Sequence, residues 1–378
     1  MLLATREIAR SKVRFGLLAG AVGLLVFLIL FQQALFGGLV QGFIGALENQ
    51  DSPVLVYNEQ ARRNVEGSFL VPEQIEALGA VEGVEQAVAI GEATYTVEAG
   101  GELVDGVLFG YPLDAGGLGA PTTLTEGRLP EAPNEAVASS ADAADGFDIG
   151  DTVRIAADGG PAIEVVGLGE DLRFSVAPTL FVDYSTFEDA QRAVNPNAQA
   201  VLPSIAAVRP ADGADPAELT ARINGEVDGV EALTNADAID SAPGVSAVNQ
   251  SFQIILALAF GVVTLVVAFF FLILTVQKAK PLTLLRAVGA PSGYLIRNLV
   301  VQILFVMGAG IAIGIGMVFA VRPISTGGAI ELDLEPSTVI PTIIGLTVLA
   351  LVGSIGAIRR VLRIDPIRAT VDTGSELA

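Results

Sequence analysis

Few residues in this chain are of a type that performs nucleophilic or metal-assisted chemistry. The 378-residue sequence contains neither histidine nor cysteine, which removes the commonest general base, the thiol nucleophile and the preferred ligands of zinc. No lysine follows a glycine, so the phosphate-binding loop that ends in Gly-Lys-Ser or Gly-Lys-Thr is missing as well. We therefore expect no enzyme active site, no metal site and no bound cofactor in this chain.

Two groups of residues could supply metal ligands, carboxylates in one case and thioethers in the other, but each is better explained without a metal. Four aspartates recur at every third position of one acidic segment, namely Asp142, Asp145, Asp148 and Asp151. A calcium loop counted from Asp142 would need a bidentate glutamate at its twelfth position, where Val153 stands, so we interpret the segment as a solvated acidic loop. Met307 and Met317 offer thioethers that ligate heme iron in other proteins, but we expect them to fill space in a helical core.

Four long apolar blocks explain a composition that is 52% hydrophobic and only 17% charged. They span residues 15–47, 252–276, 295–321 and 338–358, and Arg297 near the start of the third block is their only charged residue. Each block is long enough for a hydrocarbon core, which needs about 20 apolar residues. The pattern predicts an α-helical membrane protein with four transmembrane helices, the first of which ends in a stalk.

The basic residues indicate which connections stay in the cytoplasm. Lysine and arginine are frequent in residues 1–14, 277–294 and 359–378, whereas residues 322–337 hold one arginine against three acids. Because connections rich in Lys and Arg remain cytoplasmic, we expect both termini inside and a short outer loop at 322–337. A basic start before an apolar run is also typical of a cleaved secretory signal, but here the run continues past Phe31 for another helical stretch.

Residues 48–250, between the first two blocks, have the composition of an extracytoplasmic domain. Residues 48–240 contain 35 Asp and Glu against 8 Arg and no Lys, and such an excess of acid keeps a domain soluble and repels nucleic acid. Short segments broken by Gly, Pro and Asp predict an α+β domain. The expected strands are residues 54–57, 84–97, 103–111, 205–208 and 230–233, and the expected helices, each with proline first, are 72–78 and 216–227.

Two stretches of this domain resemble each other where their helices end. Val81-Glu82-Gly83-Val84-Glu85 parallels Val227-Asp228-Gly229-Val230-Glu231, which suggests a duplicated β-α-β unit, although glycine is common at helix ends. Two such units form a ferredoxin-like sandwich. We predict that fold with a β-rich lobe inserted at about residues 121–203, followed by a second stalk over residues 237–250 that bends near Pro243.

The first apolar block carries two sets of residues that suggest contacts. Small residues at Gly16, Gly20 and Gly23 permit close helix approach, and we expect them at a homodimer interface. Polar residues occur where the block leaves the membrane, at Gln32, Gln33 and Gln41, and such groups face protein or water rather than lipid. Two interpretations remain for these glutamines: they line a substrate entrance, or they hydrogen-bond to the dimer partner, and we favour this packing role.

The connection 277–294 combines the features of a short amphipathic helix at the membrane face. Pro281 stands near its start, apolar residues follow at helical spacing, and Gly289 ends it. A helix of this kind either joins two spans and has no other role, or it docks a partner. The residues alone leave both interpretations open.

Several motifs together resemble one family of transport proteins. The run Leu285-Arg286-Ala287-Val288-Gly289-Ala290 is similar to the cytoplasmic loop of the MacB, FtsX and LolC/LolE superfamily of ABC transporter permeases, and the length and N-terminal block are closest to its DevC and HrtB branch. The family usually has an acidic residue and then glycine ahead of this run, where the chain has Pro281 and Thr283. Further similar motifs are Thr5-Arg6-Glu7-Ile8, Glu126-Gly127-Arg128-Leu129-Pro130, Ile149-Gly150-Asp151-Thr152-Val153 and Arg363-Ile364-Asp365-Pro366-Ile367.

The resemblance implies the transmembrane subunit of a bacterial plasma-membrane exporter. A separate cytoplasmic ATPase dimer would bind ATP and magnesium, two copies of the permease would pair in the membrane lipid, and an extracytoplasmic accessory protein is a further partner. The family's coupling helix, which contacts the ATPase, would comprise Leu282, Leu284, Leu285, Arg286, Ala287, Val288 and Gly289. The implied cargo is hydrophobic or amphiphilic. The alternatives are a heme exporter of the HrtB type and an FtsX-like regulator of a cell-wall hydrolase that transports nothing.

Overall fold

The computed structural model describes residues 10–198, 200–243, 245–277, 291–325, 336–356 and 359. The helices are α1 (Lys12–Glu48), α2 (Pro72–Ala80), α3 (Tyr184–Val194), α4 (Pro216–Glu226), α5 (Asn235–Asp240), α6 (Val245–Gln277), α7 (Ser292–Ser325) and α8 (Pro336–Gly353). The strands are β1 (Val54–Asn58), β2 (Val84–Ala99), β3 (Glu102–Tyr111), β4 (Leu124–Gly127), β5 (Glu135–Ser139), β6 (Thr152–Ile155), β7 (Ala162–Gly169), β8 (Thr179–Asp183), β9 (Ile205–Pro210) and β10 (Val230–Thr234). The chain forms two compact units, one of residues 37–250 and one of the apolar helices on either side of them.

Three segments of the described residues are long and apolar enough to cross a membrane, namely Lys12–Glu48, Asn249–Gln277 and Gly293–Val321. Each is uninterrupted by proline over its apolar part, and at about 1.5 Å per residue each exceeds the hydrocarbon core of about 30 Å. They contain the first three predicted spans. The predicted fourth span corresponds to a shorter apolar helix, Thr338–Gly353, so the count of four stays a prediction.

The apolar helices share one core, in which Val22, Val267 and Val306 are fully buried. Arg14 near the start of α1 donates a hydrogen bond to Gln277 at the end of α6, and Gln32 further along α1 donates one to the Phe252 carbonyl near the start of α6. These contacts show that the two helices run in opposite directions. The two ends that carry the basic connections therefore lie together, as a cytoplasmic location for both requires.

The outer unit is built on a sheet with the strand order β10-β1-β9-β2-β3-β8-β5-β7-β4, and β6 pairs with β2 and β7. The four strands at the start of this order, β10, β1, β9 and β2, pair with one another in antiparallel fashion. Strand β1 is apolar on both faces because both are covered: Val54 and Val56 pack under α2 and α4, and Leu55 and Tyr57 face a second core. The strands and helices predicted around residues 54–111 and 205–233 are confirmed.

The two similar helix ends occupy equivalent places. Proline is the first residue of both α2 and α4, and Gly83 and Gly229 both have the positive φ that glycine tolerates, 95° and 75°. Each exit carbonyl accepts a hydrogen bond from the other helix: Gln74 donates to the Asp228 carbonyl and Arg222 to the Glu82 carbonyl. This reciprocal arrangement is what a duplicated β-α-β unit predicts.

The predicted β-rich lobe continues the same sheet. Strand β8 pairs in parallel with β3 and in antiparallel with β5, and a third core that includes Val97, Leu108 and Phe187 fills this part of the domain. Strand β2 belongs to both parts, since residues 84–90 pair with β9 and residues 91–99 with β3. After β10 the chain forms α5 and then α6 with an interruption between residues 240 and 245, as the predicted bend near Pro243 requires.

The orientation of the chain can be tested with single cysteines, because the sequence contains none of its own. Ala132 and Ala217 are exposed on the outer unit, and cysteines placed there are expected to react with a membrane-impermeant thiol reagent on intact cells. A cysteine at Ala279, which lies outside the described residues, is expected to react only after the membrane is opened. Labelling of Ala279→Cys in sealed cells would show that the inside assignment is wrong.

Candidate functional site

The predicted coupling helix lies outside the described residues. Leu282, Leu284, Leu285, Arg286, Ala287, Val288 and Gly289 all fall within residues 278–290, so their role stays a prediction. The described residues next to this gap are Gln277 and Pro291, and the contact between Arg14 and Gln277 joins its N-terminal side to the start of α1.

The glycines of α1 separate into two environments. A Cβ atom on Gly23 would lie 2.7 Å from Cγ2 of Ile313, closer than side chains approach, whereas nothing lies within 4 Å of the same position on Gly16 or Gly20. Gly23 is therefore needed for packing inside the chain, against α7, and its expected place at a dimer interface has no support here. Gly16 and Gly20 have open space, and their part in a homodimer stays a prediction.

The contact between α1 and α7 uses small residues on both helices. Cβ atoms on Gly310 and Gly314 would lie 2.6 Å and 2.7 Å from Cγ1 of Val22 and Val26. Such glycines let helix backbones approach closely in a membrane, where dispersion forces replace the hydrophobic effect between helices. The spacing of Gly310 and Gly314 in α7 is the signal from which sequence analysis could have found this seam.

Two of the three glutamines are bonded inside the chain. The Gln33 side-chain nitrogen donates to Oγ1 of Thr342 on α8 at 2.9 Å, and the Gln32 side chain donates to the carbonyl of Phe252 on α6 at 3.4 Å. Gln41 is partly buried, and its Oε1 has no hydrogen-bond partner among the described residues. Both contacts lie within one chain, so a hydrogen bond of these glutamines to the dimer partner stays a prediction, as does an entrance role for any of the three.

The interpretation of the aspartate cluster as a solvated loop is wrong for its first member. Asp142 is only 1% exposed, and its carboxylate accepts hydrogen bonds from Nε and Nη2 of Arg173 at 3.0 Å and 2.6 Å. Asp145 and Asp148 are exposed, as expected. The arginine is 31 positions away and no local pattern marks it, so the sequence offered no signal for this buried ion pair.

The outer-domain motifs that carry the family resemblance lie at strand ends: residues 126–130 contain the end of β4, and residues 149–153 lead into β6. Both Nη atoms of Arg128 donate hydrogen bonds to the Glu135 carboxylate, which also accepts hydrogen bonds from the backbone N–H groups of Glu131 and Ala132. The Arg128 hydrogen bonds, followed by that of the Glu131 backbone, lower the pKa of Glu135 to about 2. These residues fix the path into β5, and nothing in their geometry suggests a ligand.

Met307 is buried in the shared core of the apolar helices and Met317 is half-buried. Met307 therefore packs as expected. Within the part of the chain that the structure describes, no group of three or more acidic side chains could hold a metal ion.

Comparison with known families covers nearly all of this architecture. Residues 16–226 match the model of the MacB-like periplasmic core domain, and residues 253–366 match the FtsX-like permease C-terminal domain. The chain belongs to the MacB/FtsX family of ABC transporter permeases. The resemblance noted in the sequence is thereby confirmed, and the protein is a membrane permease with an extracellular domain, for which the family implies an ATPase partner.

Full-length relatives have the same extent as this permease. It is 20% identical over 98% of its length, and over 99% of theirs, to a putative hemin transport system permease protein HrtB of Staphylococcus epidermidis. It is 23% identical over 96% of its length, and 97% of theirs, to an uncharacterized ABC transporter permease of Mycobacterium tuberculosis. A solved structure, the periplasmic region of MacB from Actinobacillus actinomycetemcomitans, aligns at 15% identity with a TM-score of 0.35, over 50% of this chain and 92% of that one.

The outer domain of the permease buries one acid without a partner. Glu92 is 5% exposed, its backbone N–H and carbonyl both bond to the Ser204 hydroxyl, and neither carboxylate oxygen has a hydrogen-bond partner among the described residues. Burial, and to a smaller extent the charge of Glu66, raises the pKa of Glu92 to about 8. Glu92 is therefore a neutral acid at physiological pH, and its place on a strand with exposed glutamates such as Glu98 concealed this in the sequence.

Replacing Glu92 by a residue that cannot titrate is expected to change how the stability of the permease depends on pH. The pKa rises from 4.5 to about 8 on folding, so the folded state retains a proton that the unfolded state releases. Between these values the free energy of unfolding falls by about 1.4 kcal/mol per pH unit as pH rises. Glu92→Gln cannot lose a proton, so the melting temperature of the variant minus that of the natural protein should increase from pH 5 to pH 8. Glu98→Gln, exposed on the same strand, is the control and should show a flat difference; a flat difference for Glu92→Gln would contradict the assignment.

Proposed function

We propose that this protein is the transmembrane subunit of an ABC exporter for hydrophobic or amphiphilic cargo in a bacterial plasma membrane. In this proposal the chain crosses the membrane four times, with both termini inside, a ferredoxin-like lobe and a β-rich lobe outside, and two copies in the working complex. ATP binding and hydrolysis occur in a separate cytoplasmic ATPase dimer. The movement of the coupling helix at residues 282–289 passes along the membrane helices and changes the position of the outer lobes.

The nature of the cargo follows from how the polar groups of the apolar helices are used. The hydroxyls of Thr264, Thr275, Thr347 and Ser354 all donate to carbonyls four residues earlier in their own helices, at 2.7–2.8 Å. Gln33 and Thr342 bond to each other. A hydrophilic solute at this depth needs polar groups that are free to replace its water, and this consumption of polar groups is the observation that favours cargo soluble in the bilayer.

Hemin is a second candidate cargo within this class. The relatives that match over 98% of the chain include three named as putative hemin transport system permeases, at 20–22% identity. Hemin is flat, largely apolar and carries two carboxylates, so it partitions into a bilayer in the way the proposal requires. Since the chain has no histidine or cysteine, binding would use the shape and polarity of a site, or the weaker ligands methionine and tyrosine.

The coupling proposal predicts that a double substitution will separate the permease from its ATPase. Leu285→Asp with Arg286→Asp puts two acids on the predicted docking helix, and the ATPase should no longer co-purify from detergent, because an apolar anchor is lost and a basic one reversed. Arg154→Asp on the exposed side of β6 is the control and should leave the complex intact. If the double variant keeps a stoichiometric ATPase with normal turnover, this segment does not dock it.

The cargo proposal predicts which compounds stimulate the complex. In liposomes, ATP turnover should rise with lipids, lipopeptides or hemin and stay at its basal rate with sugars, amino acids or inorganic ions. A complex with a catalytically inactive ATPase is the control for compounds that disturb the assay. Saturable stimulation by a small hydrophilic solute, together with its transport into the vesicle lumen, would refute export of apolar cargo; stimulation by hemin alone would select the second candidate.

A further inference from the structure

The loop between β7 and β8, residues 170–178, bonds to the backbone of the outer end of α1; we name it the clip loop. The Ala46 N–H donates to the Arg173 carbonyl at 3.0 Å, the Ser175 N–H to the Phe43 carbonyl at 3.0 Å, and the Val176 N–H to the Gly42 carbonyl at 2.7 Å. Gly42 and Ala46 are four residues apart, the spacing at which helix carbonyls and N–H groups normally bond to each other. Both of these groups have a hydrogen bond to the clip loop.

Two glycines of α1 make this approach possible, to different degrees. A Cβ atom on Gly45 would overlap the Asp171 carbonyl group, whose carbon would be only 3.1 Å away. A Cβ atom on Gly42 would lie 3.7 Å from Cγ2 of Val176, an ordinary contact distance. Alanine at Gly45 therefore forces the loop away, whereas alanine at Gly42 fits.

The backbone of the clip loop is held in an unfavourable conformation. Asp171, Ser175 and Val176 have φ values of 53°, 51° and 60°, in the left-handed region that a β-branched residue such as valine rarely occupies. Residues in this conformation are destabilising and persist where the surroundings determine them. The surroundings here are the hydrogen bonds to α1, so the strain is evidence that the contact is firm.

The other side of the clip loop is fixed inside the outer domain. Arg173 forms the buried pair with Asp142 of the 3-10 helix Ser140–Asp145, and the ring of Phe174 packs edge-on against Phe109 of β3 at 5.3 Å. One short loop thus joins α1 to Asp142 of the β-rich lobe and to the second core of the domain, in which Val137 of β5 and Phe181 of β8 are also buried. The strands β4–β8 follow no membrane helix directly in the chain.

We infer that the clip loop is a rigid tie through which α1 moves the β-rich lobe during the ATP cycle, a step that rests on the proposed function. The lobe that contains β1, β9 and β10 needs no such loop, because β1 follows α1 and β10 precedes α5 and α6 in the chain. The β-rich lobe is reached from α1 by three routes: through β1, β9, β2 and β3 of the sheet, through the bonds of residues 49–51 to residues 119–122, and through the clip loop. Of these three, the clip loop bonds to α1 itself, so a displacement of the helix passes to it without crossing the residues that follow the helix.

Hydrogen exchange tests the contact itself, in the full-length permease. In Gly45→Ala the amides of Ser175 and Val176 should exchange at least tenfold faster than in the natural protein, because their acceptors on α1 move away. Gly42→Ala is the matched control, since its methyl group fits, and protection should be kept. Equal protection in Gly45→Ala and Gly42→Ala would overturn the contact.

The mechanical role is tested in the complex of permease and ATPase with spin labels on Ala132→Cys, an exposed site on the β-rich lobe, in both copies. ATP with vanadate should shift the distance between labels in the otherwise natural protein and in Gly42→Ala, but not in Gly45→Ala. If the labelled protein with both glycines intact shows no shift, the proposed function and the tie are both refuted. If it shows a shift and Gly45→Ala retains it despite the lost protection, only the tie is refuted.

A disulfide decides whether the tie stays closed through the cycle. Gly42→Cys and Val176→Cys in a chain without other cysteines should form a bridge that leaves ATP turnover unchanged, because a rigid tie never opens. Turnover that falls on oxidation and returns with reductant would mean that the loop must release α1, which would overturn the inference.

Discussion

The hydrocarbon interior of a bilayer offers no hydrogen-bond partner, and this constraint determines the membrane half of the protein. A backbone that crosses it must bond to itself, which is why the apolar segments form helices of up to 37 residues. The same constraint explains the side chains. The hydroxyls of Thr264 and Ser354 return to their own helices, and Gln33 finds Thr342 on another. Little polarity is left over among the described residues of these helices, and this scarcity is the basis of the cargo class proposed above.

At the outer end of α1 the backbone finds hydrogen-bond partners outside its own helix. There the helix shares the N–H of Ala46 and the carbonyl of Gly42 with another part of the protein, which is possible because other donors and acceptors are present. The two glycines that face the loop, Gly42 and Gly45, lie near the end of the first apolar block. The apolar helix thus changes from a self-contained rod into a bonded part of the outer domain within a few residues.

The membrane helices and the first outer lobe could be predicted from sequence because their signals are local. Apolar length marks a span, and proline followed by glycine brackets α2 and α4. Relations between distant residues could not be predicted. Nothing near Asp142 indicates Arg173, so this carboxylate was interpreted as solvated. The burial of Glu92 was not predicted for a related reason, because a glutamate suggests contact with solvent while the packing of neighbouring elements buries it.

The 16-residue strand β2 is shared by the two outer lobes, and this limits how the domain can evolve. A strand whose two halves pair in different lobes cannot be exchanged by recombination without disturbing both lobes, whereas loops between strands can change in length with less effect. At the crossing point Gly91 packs against the ring of Phe187 so closely that a Cβ atom would overlap it. Diversity among related permeases should therefore accumulate as loop variation at constant lobe pairing, and lobes grafted from a relative should fold only when the graft includes its own β2.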